Sequence, residues 1–187
     1  TLDPVELVNR YGADAIRYYF LKEIEFGKDG DFNEARFIDI VNADLANDLG
    51  NLLNRTLKMV QKYCDARVPD VTEEDIPAVN PLKEIGLKLS DRVAQAYESL
   101  AFGEACREIF TLIRASNKFI DDQAPWSLYK QGNLLSVKQV LYTVLESVRL
   151  AAYLLSPIIP SISTDIYQQL GFSIDFNQKN FIQDSAP

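Results

Sequence analysis

The sequence contains no histidine, and among 187 residues only two cysteines, one tryptophan and one methionine. It has no GxGxxG string, no P-loop and no cysteine cluster with zinc-ligand spacing, so the usual signatures of nucleotide and zinc binding are missing. Cys64 and Cys106 fit reduced core residues of a cytosolic protein, with a disulfide between them the weaker alternative. The most apolar run, Val137 to Leu155, is interrupted by Lys138, Glu146 and Arg149, which excludes a membrane span. There is no signal-peptide pattern, no repeat of fixed period and no low-complexity tract. Positive charge is also short: 19 Lys and Arg face 27 Asp and Glu, a net charge of −8. That balance argues against a nonspecific polyanion binder.

What the chain has is helical periodicity and enough apolar residues, 47%, for one sizeable core. Asp3-Pro4-Val5-Glu6 combines an N-cap, an N1 proline and an early carboxylate, and so starts a helix. A second helix runs from Ala13 to Glu23, and Glu25 to Phe32 is a loop or a short strand pair. From Asn33 to Cys64 there is no proline and a single glycine, Gly50. Apolar residues recur there at spacings of three and four, which predicts one long amphipathic helix with a bend or close contact at Gly50. A proline- and acid-rich connector, 65–80, leads to a helix from Pro81 to about Phe102, broken by Gly103. Glu104 to Ile120 forms the next, Ser136 caps an apolar helix reaching Leu155, and Ser163 to Leu170 forms the last. The predicted fold is all-α, an antiparallel helical bundle of four or five main helices. Its divisions are 1–32, a small helical piece, 33–171, the bundle, and 172–187, a fraying tail without periodicity.

Two features carry chemistry. Asn47, Asn51, Arg55, Lys58 and Lys62 lie at spacings of four, four, three and four, on one face of the long helix. Such a row is ordinarily a solvated face. Alternatively it is an RNA-reading edge, with amide and guanidinium groups on base edges and the lysines on phosphate. The second feature is Ala124-Pro125-Trp126. Proline ends a helix near Gln123 and fixes the place of the only tryptophan just beyond it. Trp126 either plugs the core or presents a stacking face. The acid concentrates in Asp65 to Glu84, apart in sequence from the basic stretch Arg55 to Lys62. The carboxylate pairs Glu73-Glu74 and Asp121-Asp122 lie in or beside loops and read as solvated surface rather than acid–base machinery.

Three blocks resemble the C-terminal part of the methionyl-tRNA synthetases, class I aminoacyl-tRNA synthetases. The first is Asp3 to Leu7 with Tyr11-Gly12-Ala13-Asp14-Ala15-Ile16-Arg17-Tyr18, a string shared with leucyl, isoleucyl and valyl enzymes. The second is Phe26 to Phe32, FGKDGDF, with Val41 to Arg55, VNADLANDLGNLLNR; the third is Gln123-Ala124-Pro125-Trp126. In this order the blocks point to the methionyl branch, over roughly residues 3–170. The resemblance implies that residues 1–32 belong to a stem-contact fold and that the bundle binds the CAU anticodon of initiator and elongator methionine tRNAs. It assigns anticodon contacts to Asn51, Arg55 and Trp126, with Pro125 shaping the turn; Lys58 and Lys62 are the phosphate contacts that the row itself offers. It implies ATP and Mg in the whole enzyme. In this stretch, which lacks HIGH and KMSKS strings, it implies no cofactor, no metal and no catalytic residue. The chain thus reads as a monomeric fragment of a longer cytoplasmic or organellar enzyme, inactive alone. The competing readings are the anticodon domain of a leucyl, isoleucyl or valyl enzyme, and a helical protein-interaction domain.

Overall fold

The computed structural model describes residues 3–77 and 80–177. Among the described residues all regular structure is helical: α1 (Pro4–Tyr11), α2 (Ala13–Glu23), α3 (Glu34–Ile40), a π-helical segment (Val41–Gly50), α4 (Asn51–Tyr63), α5 (Pro81–Glu98), α6 (Phe102–Gln123), α7 (Pro125–Lys130), α8 (Leu134–Leu155) and α9 (Pro160–Gln169). Glu25 to Phe32 is loop, without the strand pair held open as an alternative. The all-α bundle is present.

Helix starts follow local chemistry. The Asp3 carboxylate accepts from the Val5 amide at 2.8 Å, and Pro4 occupies the first helical position, where no amide is needed. Asn80 does the same for α5, accepting from Leu82 and Lys83. At α8 the cap is Asn133, whose side-chain oxygen receives the Ser136 amide at 3.3 Å; Ser136 is therefore inside the first turn and is not the cap. Nor does Gly103 break a helix. The turn lies at Ser99 to Ala101, with Leu100 at φ 55°, and Gly103 sits in the first turn of α6. A Cβ there would fall 2.6 Å from the carbonyl oxygen of Lys22. Only glycine lets the end of α2 lie that close to α6.

The main core joins α5, α6 and α8. Leu89 and Val93 of α5 meet Ile109, Ile113 and Ile120 of α6 and Val144, Val148 and Leu155 of α8, all essentially without solvent contact. Burying each such side chain is worth about 1.5–3 kcal/mol. Helix α4 adds Leu52 to this core and Val60 to a smaller cluster with Val137, Leu141 and Leu145. A third cluster packs Leu7, Ile16 and Tyr19 against Phe37. Asp14 and Arg17 tie α2 to the start of α9. Asp14 accepts from the Ile162 amide at 2.7 Å, and Arg17 donates to the carbonyls of Pro157 and Ile158 at 2.7 and 2.9 Å.

The stretch predicted as one helix over 33–64 is a continuous rod of three parts, with ten π-helical residues in the middle. The reason is visible in what the rod buries. Asp44 and Leu49, five residues apart, both lie in the interior. Side chains three or four apart share a face in an α-helix, whereas i→i+5 bonding brings the fifth residue round. The buried Asp44 carboxylate accepts from the Tyr18 hydroxyl at 2.7 Å and the Lys22 ammonium at 2.5 Å, and Arg114 of α6 lies 3.4 Å away. Burial, then the bond to Asp44, pushes the Tyr18 hydroxyl far above the usual phenol range, so it stays a neutral donor. Arg114 also binds Asp48 at 2.9 Å. Gly50 closes the segment, and a Cβ on it would stand 3.0 Å from the Leu45 carbonyl oxygen.

Of the tail expected to fray from residue 172, the first residues pack. Phe176 is buried, its ring edge-on to Tyr167 at 5.0 Å and its amide donating to Thr164 at 2.9 Å. Residues 178–187 lie outside the described part.

Candidate nucleic-acid interface

The polar row lies on the solvent side, Asn47 in the π-helical segment and the other four members in α4. Leu52, Thr56 and Val60 turn inward, while Asn51, Lys58 and Lys62 are exposed and Arg55 is half-buried. The Arg55 side chain, 28% exposed, crosses to α6 and donates to Asp121 at 2.5 Å. Asp121 lies in the last turn of α6, five residues before Trp126. Five residues span at most about 18 Å even when fully extended, so the backbone at Trp126 lies within that distance of Asp121.

The end of α6 and the start of α7 fix the place of Trp126. Ala124 takes φ 44°, ψ 63° and closes α6 through its amide to Ile120 at 2.9 Å. The left-handed conformation satisfies the exclusion of right-handed helix before proline. Its carbonyl then accepts from Ser127 and Leu128 at 2.8 and 3.2 Å, opening α7. Pro125 is buried and supplies the fixed φ of the first position. Trp126 is 37% exposed, half set into the surface and half presented to solvent. Leu128 packs onto the Val60–Val137–Leu141 cluster. Tyr129 closes the far end. Its ring lies 4.5 Å from that of Tyr63 at 35°, joining α7 to the end of α4.

On this candidate rim Arg55 thus lies beside the end of α6 that leads to Trp126, with Asn51 one turn before it on α4 and Lys58 and Lys62 beyond it towards Tyr63. Asp121 and Asp122 are solvated surface at the end of α6, as the sequence reading has them; what that reading missed is their partners, Arg55 for Asp121 and Lys118 for Asp122, each at 2.5 Å. It also missed Tyr129, because α7 was not predicted. The proline–tryptophan step that ends one helix starts the next, and the i, i+3 spacing from Trp126 to Tyr129 was the available signal.

The rim offers a ring face, a guanidinium, an exposed amide and two ammonium groups, with no nucleophile–base pair. Among the described residues no group of three His, Cys, Asp or Glu side chains is placed to hold a metal, and no helix is long and apolar enough to cross a membrane. Cys106 is buried, its thiol pushed up to about 12 mainly by burial, and Cys64 is half-buried and shifted the same way; both are free.

Comparison with known proteins bears on this rim. The family described as tRNA synthetases class I (M) matches residues 1–57, and the family described as anticodon-binding domain of tRNA ligase matches residues 87–186. The chain is 69% identical over 182 residues to a methionine–tRNA ligase of Nostoc sp., covering 97% of this chain and 34% of that protein. A chloroplastic/mitochondrial methionine–tRNA ligase of Arabidopsis thaliana is 44% identical over 94% of this chain and 29% of its own length. Among solved structures, Mycobacterium tuberculosis methionyl-tRNA synthetase in complex with methionyl-adenylate superposes with a TM-score of 0.84 at 33% identity, over 99% of this chain and 36% of that one. The chain spans about a third of the length of the relatives it matches.

Proposed function

The chain belongs to the methionyl-tRNA synthetase family, in its anticodon-binding region, and from this premise we propose that the rim formed by α4, the end of α6 and α7 reads the CAU anticodon of initiator and elongator methionine tRNAs. The observation that supports the reading is the Arg55–Asp121 contact, which sets the guanidinium of α4 beside the end of α6 that leads to Trp126. Trp126 receives an unstacked base on its exposed face. Asn51 and Arg55 bond base edges, to which an amide and a guanidinium offer paired groups in fixed geometry. Arg55 exchanges Asp121 for RNA as it does so. Lys58 and Lys62 hold the backbone. Residues 1–32 pack between this bundle and the rest of the synthetase as a stem-contact segment.

Methionine attachment by the whole enzyme uses ATP and Mg. In this reading the rim contributes selection of the tRNA. We place the protein in the cytoplasm or an organelle, acting as a monomer.

The test is binding of RNA hairpins with a CAU loop and with altered loops. Trp126→Ala should cost about 1–3 kcal/mol on the CAU hairpin, the worth of one base stack, and Arg55→Ala a similar amount. Both should narrow the gap between CAU and altered loops. Lys58→Ala and Lys62→Ala should weaken all hairpins equally and flatten the salt dependence. Full retention of the CAU preference in Trp126→Ala and Arg55→Ala overturns the reading.

A further inference from the structure

Tyr129 lies one helical turn beyond Trp126, on the same side of α7, and is 42% exposed. Two exposed aromatic rings so placed on a six-residue helix are not required by the core, because Leu128 already anchors α7 in the Val60–Val137–Leu141 cluster. The Tyr129 ring is held from one side. The Tyr63 ring lies tilted by 35° against it, centroids 4.5 Å apart, and Tyr63 in turn packs on that same apolar cluster. The Lys62 ammonium sits 5.3 Å from the centre of the Tyr63 ring, and Lys130 follows Tyr129 directly, exposed in the last turn of α7. The ring thus has a rigid backing, an open side and cations at its margin. That combination fits a stacked nucleotide with its phosphate. A protein partner would gain less from a single ring bordered by flexible ammonium groups.

We propose that Tyr129, backed by Tyr63, is a second stacking platform, taking one further unpaired base of the RNA loop whose neighbouring base stacks on Trp126. The proposal rests on the anticodon reading of the rim. It extends the contact along the strand from the Arg55–Trp126 end of α4 to its Tyr63 end, in the direction set by Lys58 and Lys62. The platform is indifferent to base identity, since every base has a face to stack. It adds affinity for an open loop and supplies no sequence preference. Tyr63 acts as a positioning residue.

The experiment measures binding of the CAU hairpin, intact and with each loop nucleotide in turn replaced by an abasic one, to the chain and to Tyr129→Leu, Tyr129→Phe, Tyr63→Leu, Trp126→Ala and Arg55→Ala. Tyr129→Leu should weaken binding of the intact hairpin about tenfold, within the range of a base–aromatic stack. Tyr129→Phe should bind as the parent does, because stacking needs the ring and not the hydroxyl. The Tyr129→Leu loss should vanish at one abasic position, and that position should differ from the one at which the Trp126→Ala loss vanishes. Tyr63→Leu should weaken binding through the same position as Tyr129→Leu. If Tyr129→Leu binds like the parent while Trp126→Ala is weakened, the second platform is wrong and the anticodon reading stands. The same conclusion follows if its loss is equal at every abasic position. If neither Trp126→Ala nor Arg55→Ala affects the hairpin, both ideas fall together. Unchanged thermal unfolding of Tyr129→Phe and Tyr129→Leu separates lost stacking from lost fold.

Discussion

The guanidinium of Arg55 is held by Asp121 at 2.5 Å, so the residue assigned to meet RNA is already engaged by a carboxylate of the neighbouring helix. The pair aims the guanidinium at the α6–α7 junction and competes with any incoming base or phosphate. Because Asp121 is largely exposed, the pair contributes less than about 1 kcal/mol to stability. Asp121→Ala should therefore unfold within a degree or two of the parent. It should also bind RNA hairpins of any loop sequence about two- to fivefold more tightly at low salt, with the gain fading as salt is added. Weaker binding at low salt would show that Asp121 serves mainly to position Arg55.

Asp44 should behave in the opposite way. It is buried under Tyr18, Lys22 and Arg114. Asp44→Ala removes the acceptor of the Tyr18 hydroxyl and the partner of a mostly buried ammonium, a loss of about 3 kcal/mol. Thermal unfolding should fall by roughly 10 °C in a domain of this size. An unchanged unfolding temperature would mean that the network does not hold the π-helical segment against α2 and α6.

Asp14 gives a pH dependence of definite sign. Burial is the main cause that raises its carboxyl above the ordinary aspartate range, against the opposing amide of Ile162 and the charge of Arg17. In the folded chain it keeps its proton at a pH where the unfolded chain has lost it. Its contribution to stability is therefore complete at low pH and is lost as pH rises through the folded value. Asp14→Asn keeps an acceptor for Ile162 and cannot titrate. The stability difference, parent minus Asp14→Asn, should decline with rising pH from about pH 4, the ordinary aspartate value, and level off once the pH exceeds the raised folded value. Urea midpoints across that range read it directly, and a difference that rises with pH contradicts the assignment.

The two thiols should differ in reactivity. Cys106 has no solvent contact and a thiol pushed up to about 12, while Cys64 is half-buried and raised less far. Thiolate is the reactive form. A disulfide-exchange reagent at neutral pH should titrate one thiol slowly in the native chain and the second only on unfolding. Fast reaction of both would contradict the packing around α6.

The helix pattern, the Asn51–Arg55 row and the proline-set ring of Trp126 were legible because each depends on residues within a turn or two of one another. What was illegible depends on contacts across the fold. Asp121 looks like solvated acid until Arg55, 66 residues upstream, is brought beside it. Gly103 looks like a helix breaker until the carbonyl of Lys22 is found against it. Helix α7 was hidden because a proline that forbids continuation also favours a start, and only the left-handed turn at Ala124 shows that it does both here. The π-helical stretch was hidden for another reason. Val41, Leu45 and Leu49 recur every fourth residue, a spacing that α-helical packing also uses.

That stretch works like a coupling of fixed angle between two shafts. Upstream of it Phe37 is keyed to Tyr19, and downstream Leu52 and Val60 are keyed to the bundle. The compass bearing of Asn51 and Arg55 is thus set partly by ten residues, of which only Asn47 belongs to the polar row. Deleting one residue between Ala43 and Asp48 would let the wide turns tighten toward α-helical pitch. It would swing Asn51, Arg55, Lys58 and Lys62 away from α6 without altering any of the four. An altered reading of RNA would then arise from a change upstream of the four α4 residues proposed to meet it.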